Sequence, residues 1–392
     1  MKSNSFFALS YVIIFKFCAF LFLLYENLPA QIPRPDHIVI VIEENYDYDQ
    51  IMENRDAIYI KALAKDDHGA LFTNSWGVTH PSQPNYLYLF SGDNQGVTDN
   101  NRPDNLPFST DNLGVQLLQN NFSFTGYAED LPSAGYNGTS DGDYERKHNP
   151  WVNWQDADSN GIPSELNVPF SDFPSDYNQL PTVSFVIPNM NNDMHDGSVG
   201  KADYWLEKNL DGYVQWAKTH NSLFILTFDE DDESTRSSPI VTIFVGEMVK
   251  KGNYNEKITH LNVLRTIEEM YNLDYCGKSK DAEPISDIWS VTTNLDPVSL
   301  KSTQAGSFIL MQNYPNPFNP STTLQFILDQ QMSVDLTIYN IQGQKVSTLI
   351  QSVLSAGMHR VKWDSGNLSN GIYFCKLITP FGTATKKMSL IR

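Results

Sequence analysis

Four short apolar segments constrain the fold more than any other feature of this chain. They are HIVIVI, TVSFVI, SLFILTF and PIVTIFV, at residues 37–42, 182–187, 222–228 and 239–245. Each is too short for a typical helix and rich in β-branched residues, which predicts buried, parallel β-strands. Two longer segments, 202–220 and 258–273, carry apolar residues at helical spacing. Together they predict an α/β fold, in which a mostly parallel sheet is covered by helices on both faces.

The segment between the first two strands has a different composition. Residues 93–180 are rich in Asn, Asp, Gly, Pro and Ser and show little periodicity, which predicts a long excursion over one end of the sheet. Within 156–167, Asp156, Asp158, Asn160 and Gly161 occupy calcium-loop positions, but Asn167 stands where that motif has glutamate. A calcium site and a surface turn are both compatible with this pattern.

The N-terminus predicts export. Lys2, an apolar stretch and the small residues before Gln31 match a secretory signal peptide over residues 1–31, cleaved near Ala30 or Gln31. The alternative is a membrane anchor, which Lys16 in mid-span disfavours. We therefore expect no stable membrane span after processing. Only Cys276 and Cys375 then remain, in different predicted domains, so no bridge between them is expected.

Net charge excludes one class of partner. The formal charge is −19 and the sequence pI is about 4.7. Such a field repels phosphate backbones and anionic bilayers, so we expect no nucleic-acid partner and no broad basic docking patch. The same field favours a bound cation.

Polar side chains follow three of the predicted strands at the point where each strand ends. Glu43, Glu44 and Asn45 follow the first, Asp193 and His195 the second, and the run Asp229, Glu230, Asp231 and Asp232 the third. Ligands of open α/β sheets bind at this carboxyl edge. Converging carboxylates repel one another unless a cation joins them. The sequence therefore predicts a divalent metal ion held mostly by oxygen, with histidine as a further candidate ligand.

Ser82 lies in THPSQPNYLYLFSG, residues 79–92, just before an apolar, helix-like run. As a helix N-cap it would accept the backbone N–H of Asn85. The same position presents helix N–H groups and the helix dipole to an anion. A serine hydroxyl becomes a nucleophile when a base or a metal lowers its pKa, so a catalytic role is also open.

Six blocks of the sequence resemble a known family in the same order. They are HIVIVIEENYDYDQI, the segment from Thr79 that contains Ser82, KHNPWVNW, PNMNNDMHD, LTFDEDD and THLNVLRTIEEMYNL. Together, over Pro35 to Leu273, they resemble the secreted phosphoesterases that include bacterial acid phosphatases and phospholipases C, a branch of the alkaline phosphatase-like superfamily. The resemblance implies an alkaline phosphatase-like catalytic domain over residues 32–293.

The resemblance also implies roles for individual residues. Ser82 becomes a transiently phosphorylated nucleophile, and His148 and His195 line the phosphate pocket, one of them protonating the leaving group. Asn100 and His260 become substrate-binding candidates. The implied metal ligands are Glu44, Asn45, Ser82, Asp229 and Glu230.

Two departures from the superfamily refine what the resemblance implies. Two-metal members have Asp-His where this chain has Asp229 and Glu230, which favours one divalent ion of unknown identity. Sulfatases have arginine where Tyr86 stands, which disfavours sulfate esters.

The C-terminal part predicts a second domain. After a linker over 294–308, alternating segments separated by turn signals predict a small all-β sandwich over 309–392. NYPNPFNPSTTLQFIL, IYNIQGQKV, GMHRVKWD and GIYFCKL resemble the C-terminal sorting domain of proteins exported by the type IX secretion system of Bacteroidetes. The resemblance implies the type IX machinery as a partner, and a secreted or surface-attached protein.

The sequence thus predicts a secreted, metal-dependent acid phosphatase that hydrolyses phosphomonoesters through a phosphoserine. Its substrate would be a small phosphorylated molecule or a phospholipid. Two alternatives stay open at this point: a phospholipase C-type phosphodiesterase, and a non-catalytic surface binding protein that keeps the fold.

Overall fold

The computed structural model describes residues 32–232, 238–290, 308–310, 313, 316, 318–328, 330–366 and 368–391. The chain divides into two compact units, Met1–Asn294 and Leu295–Arg392. The predicted signal peptide, 1–31, lies outside the described residues, as does the predicted linker apart from Phe308, which begins a strand.

The first unit is built on a nine-stranded sheet with the order β10-β2-β9-β8-β1-β7-β3-β6, in which β11 also pairs with β2. A separate pair is formed by β4 and β5. The strands of this unit are β1 (His37–Glu43), β2 (Gly69–Trp76), β3 (Phe124–Ala128), β4 (Ser140–Asp141), β5 (Tyr144–Glu145), β6 (Asn167–Pro169), β7 (Val183–Ile187), β8 (Ser222–Phe228), β9 (Pro239–Val245), β10 (Gly252–Tyr254) and β11 (Ile258–Thr259).

Helices cover both faces of this sheet. They are α1 (Tyr48–Met52), α2 (Ile58–Lys65), α3 (Ser82–Ser91), α4 (Leu113–Gln119), α5 (Val199–Ala217) and α6 (His260–Tyr271). Short 3-10 turns lie at Arg146–His148, Pro150–Trp154, Ser164–Leu166, Phe170–Asp172, Tyr177–Gln179 and Gly277–Asp281. Along β1, Ile38, Ile40 and Ile42 pack with α3, α4 and α6, while Val39 and Val41 pack with α1, α2 and α5. The prediction of a mostly parallel sheet between two helical layers is confirmed.

One predicted strand direction is wrong. β1 pairs in parallel with both β7 and β8, as expected, but β9 pairs antiparallel with β8 and with β2. Only residues 229–238 separate β8 from β9. A parallel crossover needs a dozen or more residues, so this short connection forces the chain to reverse.

The segment 93–180 is more than a surface excursion, which corrects the sequence-based view. It contains α4, and it contains β3, which pairs in parallel with β7 inside the sheet. The backbone of β3 lies against the buried ring of Trp151, because a Cβ at Gly126 would come within 2.1 Å of Trp151 Cε2. A glycine in mid-strand lowers β propensity, and this close packing is the reason that it is there.

The calcium-loop positions form a hydrogen-bonded turn. Asp156 Oδ1 accepts the backbone N–H of Ser164 at 2.9 Å, and the Asn160 side chain donates to Ser109 O and to Asp111 Oδ1, each at 3.0 Å. Asp156 and Asn160 both have positive φ, at 53°. These contacts favour the surface-turn interpretation of 156–167.

The second unit is an all-β sandwich, as predicted. One sheet has the order β12-β13-β16 and the other β15-β14-β17-β18. Both sheets contribute to one apolar core, for example through Leu324 and Phe326 of one sheet and Leu336 and Ile338 of the other. The strands are β12 (Phe308–Leu310), β13 (Ser321–Leu328), β14 (Met332–Asn340), β15 (Lys345–Leu354), β16 (Gly357–Asp364), β17 (Gly371–Thr379) and β18 (Gly382–Leu390).

Two further expectations concern cysteines and membrane spans. Cys276 and Cys375 are both free and buried, which confirms that they do not pair. Within the part of the chain that the structure describes, no helix combines the length and the apolar character needed to cross a bilayer.

Glu268 of α6 generates a test of the fold. Its buried carboxylate accepts the Cys276 N–H at 2.7 Å and the Ser279 hydroxyl at 2.6 Å. Burial raises the pKa of Glu268 to about 7. The folded state therefore holds this proton more tightly than the unfolded state, and the stability that it contributes at low pH is lost as pH rises through about 7.

We expect Glu268→Gln to keep both hydrogen bonds and to remove this pH dependence. The difference in unfolding free energy, variant minus wild type, should be larger at pH 8 than at pH 5 by on the order of 1–3 kcal/mol. Denaturant unfolding at both pH values measures the gain, with exposed Glu207→Gln as the control. A difference between wild type and variant that does not change with pH would contradict the account.

Candidate active site

The sheet brings the predicted polar residues to one edge. Because β1, β7 and β8 are parallel neighbours, the residues that follow them emerge side by side. The backbone confirms this contact, since Asp229 N–H donates to Glu43 O and Glu44 N–H donates to Asp193 O. Ser82 begins α3, which packs on the face of the sheet opposite to α5. Glu43 continues the alternation of Val39 and Val41 and so belongs to the other face.

Ser82 lies between two carboxylates. Its Oγ is 3.2 Å from Glu44 Oε2 and 3.0 Å from Glu230 Oε1, and the residue is 1% exposed. Asp229 also contacts both Ser82 and Glu44. The hydroxyl is therefore surrounded by the side chains that the sequence predicted as metal ligands.

The N-cap interpretation of Ser82 is wrong. Pro81 is the N-cap residue of α3, and no side chain caps this helix end. Asn85, the expected donor to Ser82, instead stabilises the preceding loop: its Oδ1 accepts the N–H groups of Val78 at 2.9 Å and Thr79 at 3.0 Å. Its amide donates to Thr79 O at 2.7 Å and to Glu230 Oε2 at 3.2 Å. Asn85 thus ties the loop before Ser82 to Glu230.

Burial sets the protonation of the carboxylates. It raises the pKa of Glu44 and of Asp193 well above the usual values of these groups, and raises that of Asp229 to about 6. Asn45 contributes its backbone N–H, which donates to Asp229 Oδ1 at 3.1 Å. Asp229 Oδ2 is buried without a hydrogen-bond partner. Without a bound cation, burial thus favours the protonated forms of these carboxyl groups.

His148 lies beneath these carboxylates. Its Nε2 is 3.1 Å from Glu44 Oε1 and its Nδ1 is 3.3 Å from Asp193 Oδ2. The ring stacks on Tyr86 with a centroid distance of 5.1 Å, and the Tyr86 hydroxyl donates to Glu44 Oε1 at 2.5 Å. His148 and Tyr86 are each 1% exposed, so both orient Glu44 from inside the protein.

His195 lies nearer the surface, with a side chain that is 27% exposed. Its Nδ1 is 2.8 Å from Asp196 Oδ1 and its Nε2 is 3.3 Å from Lys147 Nζ. If Nδ1 carries the proton and donates to Asp196, Nε2 faces Lys147 with its lone pair. Lys147 was missed by the sequence-based prediction, although it directly precedes His148. Lys147 is the first residue of the block KHNPWVNW, and its positive charge was the only signal that could have marked it.

The two substrate-binding candidates differ in position. Asn100 Oδ1 accepts the N–H of Gln83 at 3.0 Å, which places Asn100 next to Ser82 at the start of α3. His260 Nε2 contacts the backbone carbonyl of Phe228 at 2.8 Å, and burial lowers its pKa to about 4. His260 therefore binds the end of β8, immediately before Asp229.

The sequence-based prediction also missed a contact between His80 and Asp231. His80 Nε2 is 2.6 Å from Asp231 Oδ1, and the His80 side chain is 26% exposed. Asp231 is fully buried, and its N–H donates to Ser238 Oγ at 3.0 Å. This pair joins the loop before Ser82 to the segment after β8.

The donor set fits a hard divalent cation. Glu44, Asp229 and Glu230 supply buried carboxylate oxygens around Ser82, and such oxygens are the ligands of calcium and magnesium. Among the described residues, no group of three or more His, Cys, Asp and Glu side chains is already spaced as a metal site. The unpartnered Asp229 oxygen and the crowded negative charge supply the reason for a cation to bind here.

Comparison with known proteins decides the family. Residues 50–274 match the model of the phosphoesterase family. The chain belongs to this family. It is 48% identical over 265 residues to a phosphatidylinositol-3-phosphatase of Mycobacterium tuberculosis, a match that covers 66% of this chain and 85% of that protein. It is 28% identical over 278 residues to a probable acid phosphatase of Kluyveromyces lactis, covering 67% of this chain and 65% of that one.

Two further matches concern the fold and the C-terminal unit. A solved structure of a protein in the alkaline phosphatase superfamily from Vibrio parahaemolyticus matches with 10% identity and a TM-score of 0.45, covering 76% of this chain and 78% of that one. Residues 312–391 match a secretion system C-terminal sorting domain.

These matches fix the broad function of the phosphoesterase chain. It is a phosphoric ester hydrolase that acts on a phosphorylated substrate. Its sorting domain indicates export by type IX secretion, followed by surface attachment or release.

Asn85 provides a test of how the site is held. In Asn85→Asp the acceptor for Val78 and Thr79 is kept, but the donor to Thr79 O is lost and the donor to Glu230 Oε2, now at 3.2 Å, is replaced by a like charge. We expect the variant to lose about 2–4 kcal/mol of unfolding free energy at neutral pH, because two buried carboxylates would face each other.

Denaturant unfolding followed by circular dichroism measures this loss. The control is Asn101→Asp, an exposed position on the loop that follows α3. Equal stability of Asn85→Asp and wild type would show that the contact with Glu230 does not hold the site.

Proposed function

We propose that the chain is a metal-dependent acid phosphatase that hydrolyses phosphomonoesters through a phosphoserine at Ser82. The observation that carries this proposal is the position of the Ser82 hydroxyl, buried at the start of a helix and within 3.2 Å of carboxylates from two different strand ends. A cap or a packing serine has no need of such neighbours.

Glu44, Asn45, Asp229 and Glu230 would hold one divalent ion together with Ser82. Support comes from the oxygen-rich donor set and from burial, which makes uncompensated carboxylates costly. When bound, the ion lowers the pKa of the serine hydroxyl and offsets negative charge on the phosphoryl group.

The contacts around Ser82 indicate which group takes each proton. Ser82 gives its proton to Glu230 Oε1, the nearer oxygen at 3.0 Å, as the Oγ–P bond forms and the bond from phosphorus to the leaving oxygen breaks. The leaving oxygen takes a proton from a histidine. Water then attacks the phosphoserine and gives a proton back to the histidine, the Oγ–P bond breaks, Ser82 recovers its proton from Glu230, and phosphate departs.

We assign the leaving-group proton to His195 and a positioning role to His148. His195 is part-exposed and held by Asp196, so it can exchange protons with substrate and solvent. His148 is buried between Glu44 and Asp193 and stacked on Tyr86. Lys147, 3.3 Å from His195, supplies a positive charge at the mouth of an acidic site and so favours the dianionic phosphate of a monoester.

The names of the relatives agree with a monoesterase. Four of those that match are called acid phosphatases, one of them a probable one, and a more similar relative is called a phosphatidylinositol-3-phosphatase. A phospholipase C-type diesterase is the alternative to be tested.

Ser82→Ala tests the nucleophile. Removal of the hydroxyl should reduce turnover of an aryl phosphate by roughly 10³-fold or more while the protein stays folded, because no other group replaces a covalent intermediate. Initial rates and circular dichroism give the two readouts, with Ser91→Ala in the same helix as the control. Undiminished turnover by the folded Ser82→Ala protein would exclude this mechanism.

Metal removal tests the cofactor. Exhaustive chelation should abolish phosphatase activity, and add-back of single divalent ions should restore it with one ion bound per chain, measured by elemental analysis. Asp229→Asn should weaken ion binding because it removes the carboxylate oxygen that has no protein partner. Full activity of metal-free protein would refute metal dependence.

A further inference from the structure

A groove opens on the same edge of the sheet as Ser82. It has a volume of about 330 Å³ and we call it the Trp76 groove. A second depression of about 520 Å³ shares Lys257, Thr259 and Leu261 with it and extends to Lys278. The groove is lined by Trp76, Gly77, Val78, Lys257, Thr259 and Leu261.

The wall of this groove is bonded directly to the catalytic segments. Gly77 N–H donates to Ser238 O at 2.8 Å, and Ser238 Oγ accepts the N–H of Asp231 at 3.0 Å. Val78 N–H donates to Asn85, whose amide contacts Glu230. The groove and the carboxylates therefore share one rigid frame.

The sheet order gives the separation between groove and site. β2, which ends at Trp76, lies two strands away from β8, which ends just before Asp229. Neighbouring strands are about 4.8 Å apart, so the groove lies about 10 Å along the edge from the carboxylates. This span suits a sugar-sized ring with a phosphate at each end.

The lining of the groove suits a ligand that combines a ring with an anionic group. Trp76 offers an aromatic surface, and Leu261 and Val78 add apolar contacts. Lys257 is exposed, and its Nζ lies 5.7 Å from the centre of the Trp76 ring. No carboxylate of the described residues forms an ion pair with Lys257, whereas Lys278 pairs with Asp93. An exposed cation of this kind, in a chain with a net charge of −19, attracts an anionic group locally.

We propose that the Trp76 groove binds the leaving group of a phosphomonoester that carries a second phosphate, which Lys257 contacts while the ring lies on Trp76. This inference rests on the proposed function of the Ser82 site as a phosphomonoesterase. The second phosphate belongs either to a free sugar or inositol bisphosphate or to the phosphodiester of an inositol lipid headgroup. Both present the same chemistry to the groove.

The test compares two substrates in the full-length, metal-loaded protein. One is para-nitrophenyl phosphate, which has a single phosphate, and the other is a soluble inositol bisphosphate. The readout is the ratio of their kcat/KM values. The ratio is kcat/KM for the bisphosphate divided by kcat/KM for para-nitrophenyl phosphate. Lys257→Met should lower this ratio by about tenfold, equal to about 1.4 kcal/mol of transition-state binding. Trp76→Leu should lower the same ratio.

The control is Lys208→Met, which removes an exposed lysine from α5 on the opposite face of the sheet and should keep the wild-type ratio. Lys257 is exposed, so its variant tests the groove without disturbing the core. The same variants are assayed on phosphatidylinositol 3-phosphate in phosphatidylcholine vesicles. A loss confined to vesicles identifies the lipid headgroup as the source, and a loss confined to solution identifies the free bisphosphate.

Two results would overturn the inference, and they are distinguishable. If Lys257→Met has the same ratio as wild type on both bisphosphate substrates, the groove does not bind the leaving group. This result leaves the proposed chemistry of Ser82 intact. If the wild-type protein releases phosphate from none of the substrates, the proposed function is refuted, and so is the proposed role of the groove.

Discussion

Carboxylates crowded together away from water are the constraint on which the rest of this structure depends. Glu44, Asp193, Asp229 and Glu230 are each at most 3% exposed and lie at adjacent strand ends. Buried like charges either take up protons or share a cation. Burial raises the pKa of Asp229 to about 6, burial together with the charges of Asp229 and Asp193 raises that of Glu44 well above its usual value, and Asp229 Oδ2 has no hydrogen-bond partner.

The fold creates this crowding and also limits it. Parallel pairing of β1 with β7 and β8 places three acidic strand ends side by side. Asn85 and Tyr86, one helical turn after Ser82, donate to Glu230 and Glu44 and hold these carboxylates in place around the hydroxyl. The start of α3 therefore positions the carboxylates as well as the nucleophile.

Much of this could be predicted from the sequence, because it depends on local pattern. The apolar runs fixed β1, β7 and β8, and the residues after them then had to meet at one edge. The direction of β9 depended on the length of its connection to β8, which the pattern of the strand itself does not contain. β3 was missed because Gly126 breaks its strand character in order to accommodate Trp151.

The site was harder to predict where it depends on contacts between residues that are distant in sequence. Ser82 has the sequence of an N-cap, and only the approach of Glu44 and Glu230 shows that its hydroxyl faces elsewhere. Lys147 and His80 lie in blocks that resemble the family, but their contacts could not be predicted because their partners His195 and Asp231 are distant in sequence. Tertiary proximity of this kind cannot be derived from spacing along one chain.

The account's central claim, that Ser82 and these carboxylates form one catalytic unit, is tested most directly by trapping the intermediate. The metal-loaded protein is mixed with an aryl phosphate, quenched in acid during turnover, and digested for peptide mass spectrometry. The account predicts a phosphoryl group on Ser82 that disappears once substrate is exhausted. Continued turnover with phosphate on a histidine, or on no residue at all, would contradict it.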